Sequence, residues 1–166
     1  MLSHKTRTTV ERLIAQLKAQ SQTLATAESC TGGLLGASIT HYAGTSAIYM
    51  GGINAYSNEL KEAALSVPKD LMIAHGAVST KVAQAMAEHL HDLSDADWSL
   101  GITGVAGPGG GTADKPVGLV CFAIAGKDGM QKVWTEQFSG SRGDVRDQAV
   151  EEAALGLLSL LDAPVP

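Results

Sequence analysis

The side chains able to do covalent chemistry fall into a few short stretches. Ser46 and Lys61 form one candidate pair. A serine hydroxyl is a poor nucleophile until a base takes its proton, and a lysine desolvated enough to be neutral can be that base. Serine–lysine pairs recur as variants of the hydrolytic triad on several folds. Ser46 stands before one predicted strand and Lys61 just after it; the plainer alternative is a turn serine and a solvated helix lysine. A second stretch, Ala27-Glu28-Ser29-Cys30-Thr31-Gly32-Gly33, brings a carboxylate, hydroxyls, a thiol and glycines to a predicted strand-to-helix junction. Free backbone N–H groups at such a junction suit an anion. Glu28, Ser29, Thr31 and Gly32 are therefore candidate substrate-binding residues, against a pure capping role. Cys30 or Ser29 is the rival nucleophile, with Ser46 then only positioning substrate.

Two further features call for an anion. The glycine-rich loop Gly104–Gly111 cannot pack a core, and a phosphate or sugar lying against its bare peptide groups, at Gly107 and Gly109, would justify its entropy cost. It has neither the ending of a P-loop nor a GxGxxG fingerprint leading into a helix. Arg142 and Arg146 share a helix face four residues apart, near the start of a predicted helix where cations oppose the macrodipole. An anionic ligand accounts for them, as does pairing with Asp144, Asp147 or other carboxylates. The five histidines show no HExxH or other ligand spacing, so no metal and no cofactor is expected.

These residues need elements to position them. Apolar spacing predicts helices over Thr8–Gln20, Leu34–Tyr42, a short segment after Ser57 as N-cap, a brief one with Pro68 at its first helical position, one capped by Ser79, and Gly143–Leu161. Strands are predicted over Thr23–Ala27, Ala47–Tyr56 with a bend or bulge at Gly51-Gly52, Trp98–Thr103, Val117–Ala125 and Val133–Phe138, the last two joined by a hairpin turn at Lys127-Asp128-Gly129. Ala163–Pro166 reads as a frayed end. This order implies an α/β class, a layered α/β/α domain with a mixed sheet.

With 166 residues the chain fits a single domain, residues 1–166. Its net charge of -5 and 4% aromatic content argue against a nucleic-acid partner. Two isolated cysteines give no disulfide framework. No apolar run is long enough for a membrane span and no signal peptide is visible, so no membrane partner is expected and the cytoplasm is the expected address.

Taken in order, Ala27–Gly33, Tyr56-Ser57-Asn58 with Lys61, His75-Gly76-Ala77-Val78-Ser79, Gly104-Val105-Ala106-Gly107-Pro108 and Lys115-Pro116-Val117-Gly118 resemble the C-terminal domain of the competence/damage-inducible protein family. The resemblance runs from about Thr8 to Leu161. The enzymatic form of that family is nicotinamide-mononucleotide amidohydrolase. The resemblance implies hydrolysis of nicotinamide mononucleotide to nicotinate mononucleotide and ammonia, an α/β/α fold, and self-association as a dimer or larger homo-oligomer. Many members carry an additional N-terminal domain similar to molybdopterin-binding proteins, which this sequence does not contain. On this reading Lys61 activates Ser46, and backbone N–H groups or the Thr103 hydroxyl hold the oxyanion. Tyr56 orients Lys61 or stacks on the pyridine ring, and the phosphate lies on the Ser29–Gly33 turn, the Gly107–Gly111 loop, or Arg142 and Arg146. The alternative function is a non-enzymatic module that binds a nucleotide or a partner in a competence or DNA-damage response.

Overall fold

The computed structural model describes residues 2–162; the frayed end expected at 163–166 lies outside them. Three strands are buried along nearly their whole length, β1 (Leu24–Glu28), β3 (Trp98–Gly104) and β4 (Leu119–Gly126). A strand covered on both faces loses the polar alternation of a half-exposed one. These three sit at the centre of a five-stranded sheet, with β2 (Tyr49–Asn54) and β5 (Gln131–Gln137) at its edges. The edge strands alternate in burial, as one-sided strands must. β1 is parallel to both β2 and β3, whereas β4 and β5 run antiparallel. The sheet is mixed, as the element order predicted.

Helices cover both faces. α1 (His4–Gln20), α2 (Leu34–Thr40) and α6 (Arg142–Leu161) pack on one side around Leu13, Leu17, Leu100, Ile102, Phe122 and Leu157. α3 (Asn58–Leu65), α4 (Lys69–His75) and α5 (Thr80–Ser94) pack on the other, around Ala25, Ala27, Val82 and Met86. α5 reaches close to the sheet because Gly101 has no side chain: a Cβ there would stand 2.2 Å from the Ala83 carbonyl oxygen. Each long helix is capped by the serine before it, and at α6 Ser141 and Asp144 form a reciprocal capping box.

The structure departs from expectation at several element boundaries. The second strand is shorter than Ala47–Tyr56 because Thr45–Ala47 closes into a 3-10 turn. Of the bend or bulge expected at Gly51-Gly52 the structure forms the bulge, with Leu24 opposite Tyr49 but Ala25 opposite Gly51, which leaves Met50 unpaired. Pro68 is the N-cap of α4 rather than its first helical residue, its ψ of 131° being extended.

Candidate active site

The three parallel strands end at one edge of the sheet, and in open α/β sheets the crevice beyond the carboxyl ends is where ligands bind. Here Ser29 follows β1, Tyr56 and Asn58 follow β2, and the loop from Val105 onward follows β3. Together with Lys61, Cys30, Val78, Thr103, the Gly107–Gly110 backbone and Arg142, they line an open cleft of about 290 Å³. That is near the lower end of ligand-pocket size, roughly 300–1,000 Å³.

Lys61 is the unusual residue in it. Ser57 caps α3 through a 3.1 Å bond from Leu60 N–H, which sets Lys61 in the first helical turn with its side chain directed inward. The side chain is only 2% exposed, and Nζ donates to Ser29 Oγ at 2.9 Å. No carboxylate among the described residues forms an ion pair with it. Burial without a counter-charge lowers the lysine pKa, and the positive end of α3 acts in the same sense; Cys30 and Glu59 oppose the shift. In this setting the lysine loses its proton more readily than a lysine in water, beside a hydroxyl.

Ser29 is fixed by its own backbone. Its N–H donates to the Ile102 carbonyl at 3.0 Å, and its carbonyl accepts from Gly32 N–H at 3.0 Å. The tight turn this requires places Gly32 and Gly33 at φ of 62° and 82°, which glycine adopts without steric cost. Within the described residues the N–H groups of Ala106, Gly107, Gly109 and Gly110 have no backbone partner, and that of Cys30 meets only its own thiol. These are donors available to an oxyanion or a phosphate. Cys30 itself is buried, and burial pushes its thiol pKa up to about 12. A thiol raised so far is a poor source of the thiolate that a cysteine nucleophile needs.

The Ser46–Lys61 pair expected from sequence is not formed. Ser46 is exposed in the 3-10 turn before β2, and Lys61 lies beyond the other end of that strand. A six-residue strand spans roughly 20 Å at about 3.3 Å per residue, so groups at its two ends cannot touch. Glu28 is also not a cleft residue. Its buried carboxylate accepts from Thr31 Oγ1 at 2.7 Å, Leu35 N–H at 3.0 Å and Gly36 N–H at 2.8 Å, capping α2 from the end of β1. The cavity it does touch is a separate one, lined by α2 and β2 with Tyr49 and Asn54. Thr31 is fully buried, and neither it nor Gly32 lines the cleft.

The two arginines separate. Arg142 faces the cleft, where its Nη1 donates to the Gly107 carbonyl at 2.7 Å and its Nη2 to Tyr56 Oη at 2.5 Å. Tyr56, 58% exposed, therefore sits at the mouth and contacts Arg142 rather than orienting Lys61. Arg146 does not line the cleft; its Nε and Nη2 both donate to the Thr31 carbonyl, at 3.1 and 2.7 Å. Thr103 lines the cleft, but its hydroxyl donates to the Ala77 carbonyl at 2.9 Å, so that proton is already engaged and an oxyanion must look to the backbone. Among residues given no site role from sequence, the structure adds Asn58, Ala77 and Val78 to the lining. Asn58 and Val78 were signalled by the motifs Tyr56-Ser57-Asn58 and His75–Ser79, without a role. Among the described residues no three His, Cys, Asp or Glu side chains converge as a metal-ion site, and no helix is long and apolar enough to cross a membrane.

Known proteins share this architecture. The chain is 34% identical to a competence/damage inducible protein, CihA, from Agrobacterium tumefaciens, whose crystal structure superposes with a TM-score of 0.93 over 96% of this chain and 98% of that one. A competence or damage-inducible protein from Enterobacter asburiae is 33% identical, with a TM-score of 0.90 over 96% of this chain and all of that one. A CinA-like protein of Synechococcus sp. (strain CC9902) is 54% identical over 122 residues, which is 74% of this chain and 29% of that relative. The chain thus spans about a third of the length of such relatives. The model of the CinA C-terminal domain matches residues 6–161, and the chain belongs to the CinA C-terminal domain family.

Proposed function

We propose that this domain hydrolyses the carboxamide of nicotinamide mononucleotide, with Ser29 as nucleophile and Lys61 as its base. The observation that carries the reading is the 2.9 Å contact between Ser29 Oγ and a buried lysine amine without a counter-charge. Neutral Lys61 accepts the Ser29 hydroxyl proton as Oγ attacks the amide carbon. The oxyanion of the tetrahedral intermediate is held by cleft N–H groups, of which Cys30 N–H is nearest in sequence to the nucleophile; one such donor is worth about 3 kcal/mol. Collapse breaks the C–N bond, and the Lys61 ammonium returns its proton to the leaving nitrogen, which departs as ammonia. Water then attacks the acyl-serine ester while Lys61 takes its proton and passes it to Ser29 Oγ, releasing nicotinate mononucleotide. Arg142 and the N–H groups of Gly107, Gly109 and Gly110 form the phosphate end of the cleft, an arrangement of one guanidinium and free peptide donors suited to a monophosphate.

Ammonia release from nicotinamide mononucleotide tests this directly. Ser29→Ala and Lys61→Met are expected to lose at least about 10³-fold in kcat while remaining folded. Ser46→Ala is expected to turn over normally. Loss in Ser46→Ala with activity kept in Ser29→Ala would return the nucleophile to Ser46. A wild-type protein that binds the nucleotide without releasing ammonia would instead be a binding module.

A further inference from the structure

The clamp that Arg146 places on the nucleophile turn has no part in the chemistry above, and it points to a further role. We infer that Arg146 is a positioning residue: it orients the Thr31–Gly32 peptide unit and, through it, holds Ser29 in line with Lys61. This rests on the amidase reading of the same cleft. Two guanidinium donors converge on the Thr31 carbonyl. In a planar peptide unit the carbonyl of Thr31 and the N–H of Gly32 rotate together. That N–H is the donor bonded to the Ser29 carbonyl at 3.0 Å. Arg146 therefore sets, at one remove, a hydrogen bond of the nucleophile's own backbone. The turn needs such a constraint, because Gly32 and Gly33 lack the side chains that would limit their dihedrals. On its other side Thr31 is tied through its hydroxyl to Glu28.

The fork also accounts for two arginines in the first turns of α6, where cations oppose the macrodipole. Arg142 and Arg146 each hold a backbone carbonyl of one cleft loop, Gly107 and Thr31 respectively. Arg142 faces the substrate and Arg146 does not, so the two should separate kinetically. A displacement of about 1 Å at a reacting group can cost roughly 10²-fold.

The test compares the wild-type chain, Arg146→Ala, Arg146→Lys and Arg142→Ala in ammonia release from nicotinamide mononucleotide. For Arg146→Ala we expect kcat to fall about 10- to 100-fold with KM within about twofold, and millimolar guanidinium to restore much of the loss. Arg146→Lys, a point charge without the fork, should remain impaired. Arg142→Ala should chiefly raise KM. Wild-type kcat in Arg146→Ala, a KM rise like that of Arg142→Ala, or a kcat loss that guanidinium does not restore in a folded variant would each overturn the proposal. Labelling of Ser29 by a fluorophosphonate separates this from failure of the amidase reading. If the wild type releases no ammonia, slower labelling in Arg146→Ala still supports the positioning role, and equal labelling overturns it.

Discussion

Lys61 determines the pH at which the proposed chemistry runs, because only its neutral form can accept the Ser29 proton. Its pKa lies below the ordinary lysine value of 10.5, chiefly through burial. We therefore expect kcat/KM to rise with pH on a single ascending limb whose midpoint falls below 10.5. Lys61→Arg should be inactive throughout, since a guanidinium stays charged across the accessible range. A pH–rate profile between about pH 5 and 10 checks both, and a flat wild-type profile would remove Lys61 as the base. The nearby Cys30 thiol shows the same burial acting with the opposite consequence. Desolvation disfavours the charged form of each group, so it leaves the lysine amine more readily unprotonated and keeps the thiol protonated.

At the scale of elements, the notable dependence is that of α2 on a residue outside it. This helix has seven residues, and its N-cap, Gly33, has no side chain to offer the first N–H groups. Glu28, at the end of β1, supplies both missing acceptors through Leu35 and Gly36. A carboxylate there also matches the positive end of the helix. Glu28→Gln would turn an amide NH₂ toward donors that need acceptors. We expect it to cost about 2–3 kcal/mol of unfolding free energy in a denaturant titration. A loss under about 0.5 kcal/mol, as for an ordinary surface change, would mean that Glu28 does not cap the helix.

For the whole molecule, an unpaired buried lysine is a stability cost borne by the site. In the unfolded chain Lys61 returns to its ordinary pKa, so between the lowered folded value and 10.5 the unfolded state holds more protons and stability rises with pH. Below the folded value the penalty is complete, and above 10.5 it vanishes. Lys61→Met should therefore be more stable than wild type near neutral pH, with the gap closing as pH rises through that window. Thermal unfolding of both proteins across pH reads this out; a gap independent of pH would leave packing alone as its cause.

The sequence by itself determined the layers and most of the elements. Helical spacing at Val10, Leu13, Ile14 and Leu17, the caps at Ser57 and Ser79, and the hairpin turn near Gly129 are local signals, written within a few residues of what they specify. Lys61, Tyr56, Thr103, Gly107 and Arg142 were legible as cleft candidates because their motifs bracket the carboxyl ends of the strands. Tertiary structure decided which hydroxyl meets the lysine. Ser29 and Lys61 are 32 residues apart, and their contact depends on β1 and β2 running parallel, so that the residues following each strand arrive at one edge. The same parallel pairing leaves Ser46, before β2, at the opposite edge. Nor could spacing tell that Glu28 turns back onto α2, or that Arg146 is engaged by the Thr31 carbonyl while Arg142, one helical turn earlier, faces the cleft. Those assignments depend on where a long-range hydrogen bond closes, and a one-dimensional pattern does not encode that.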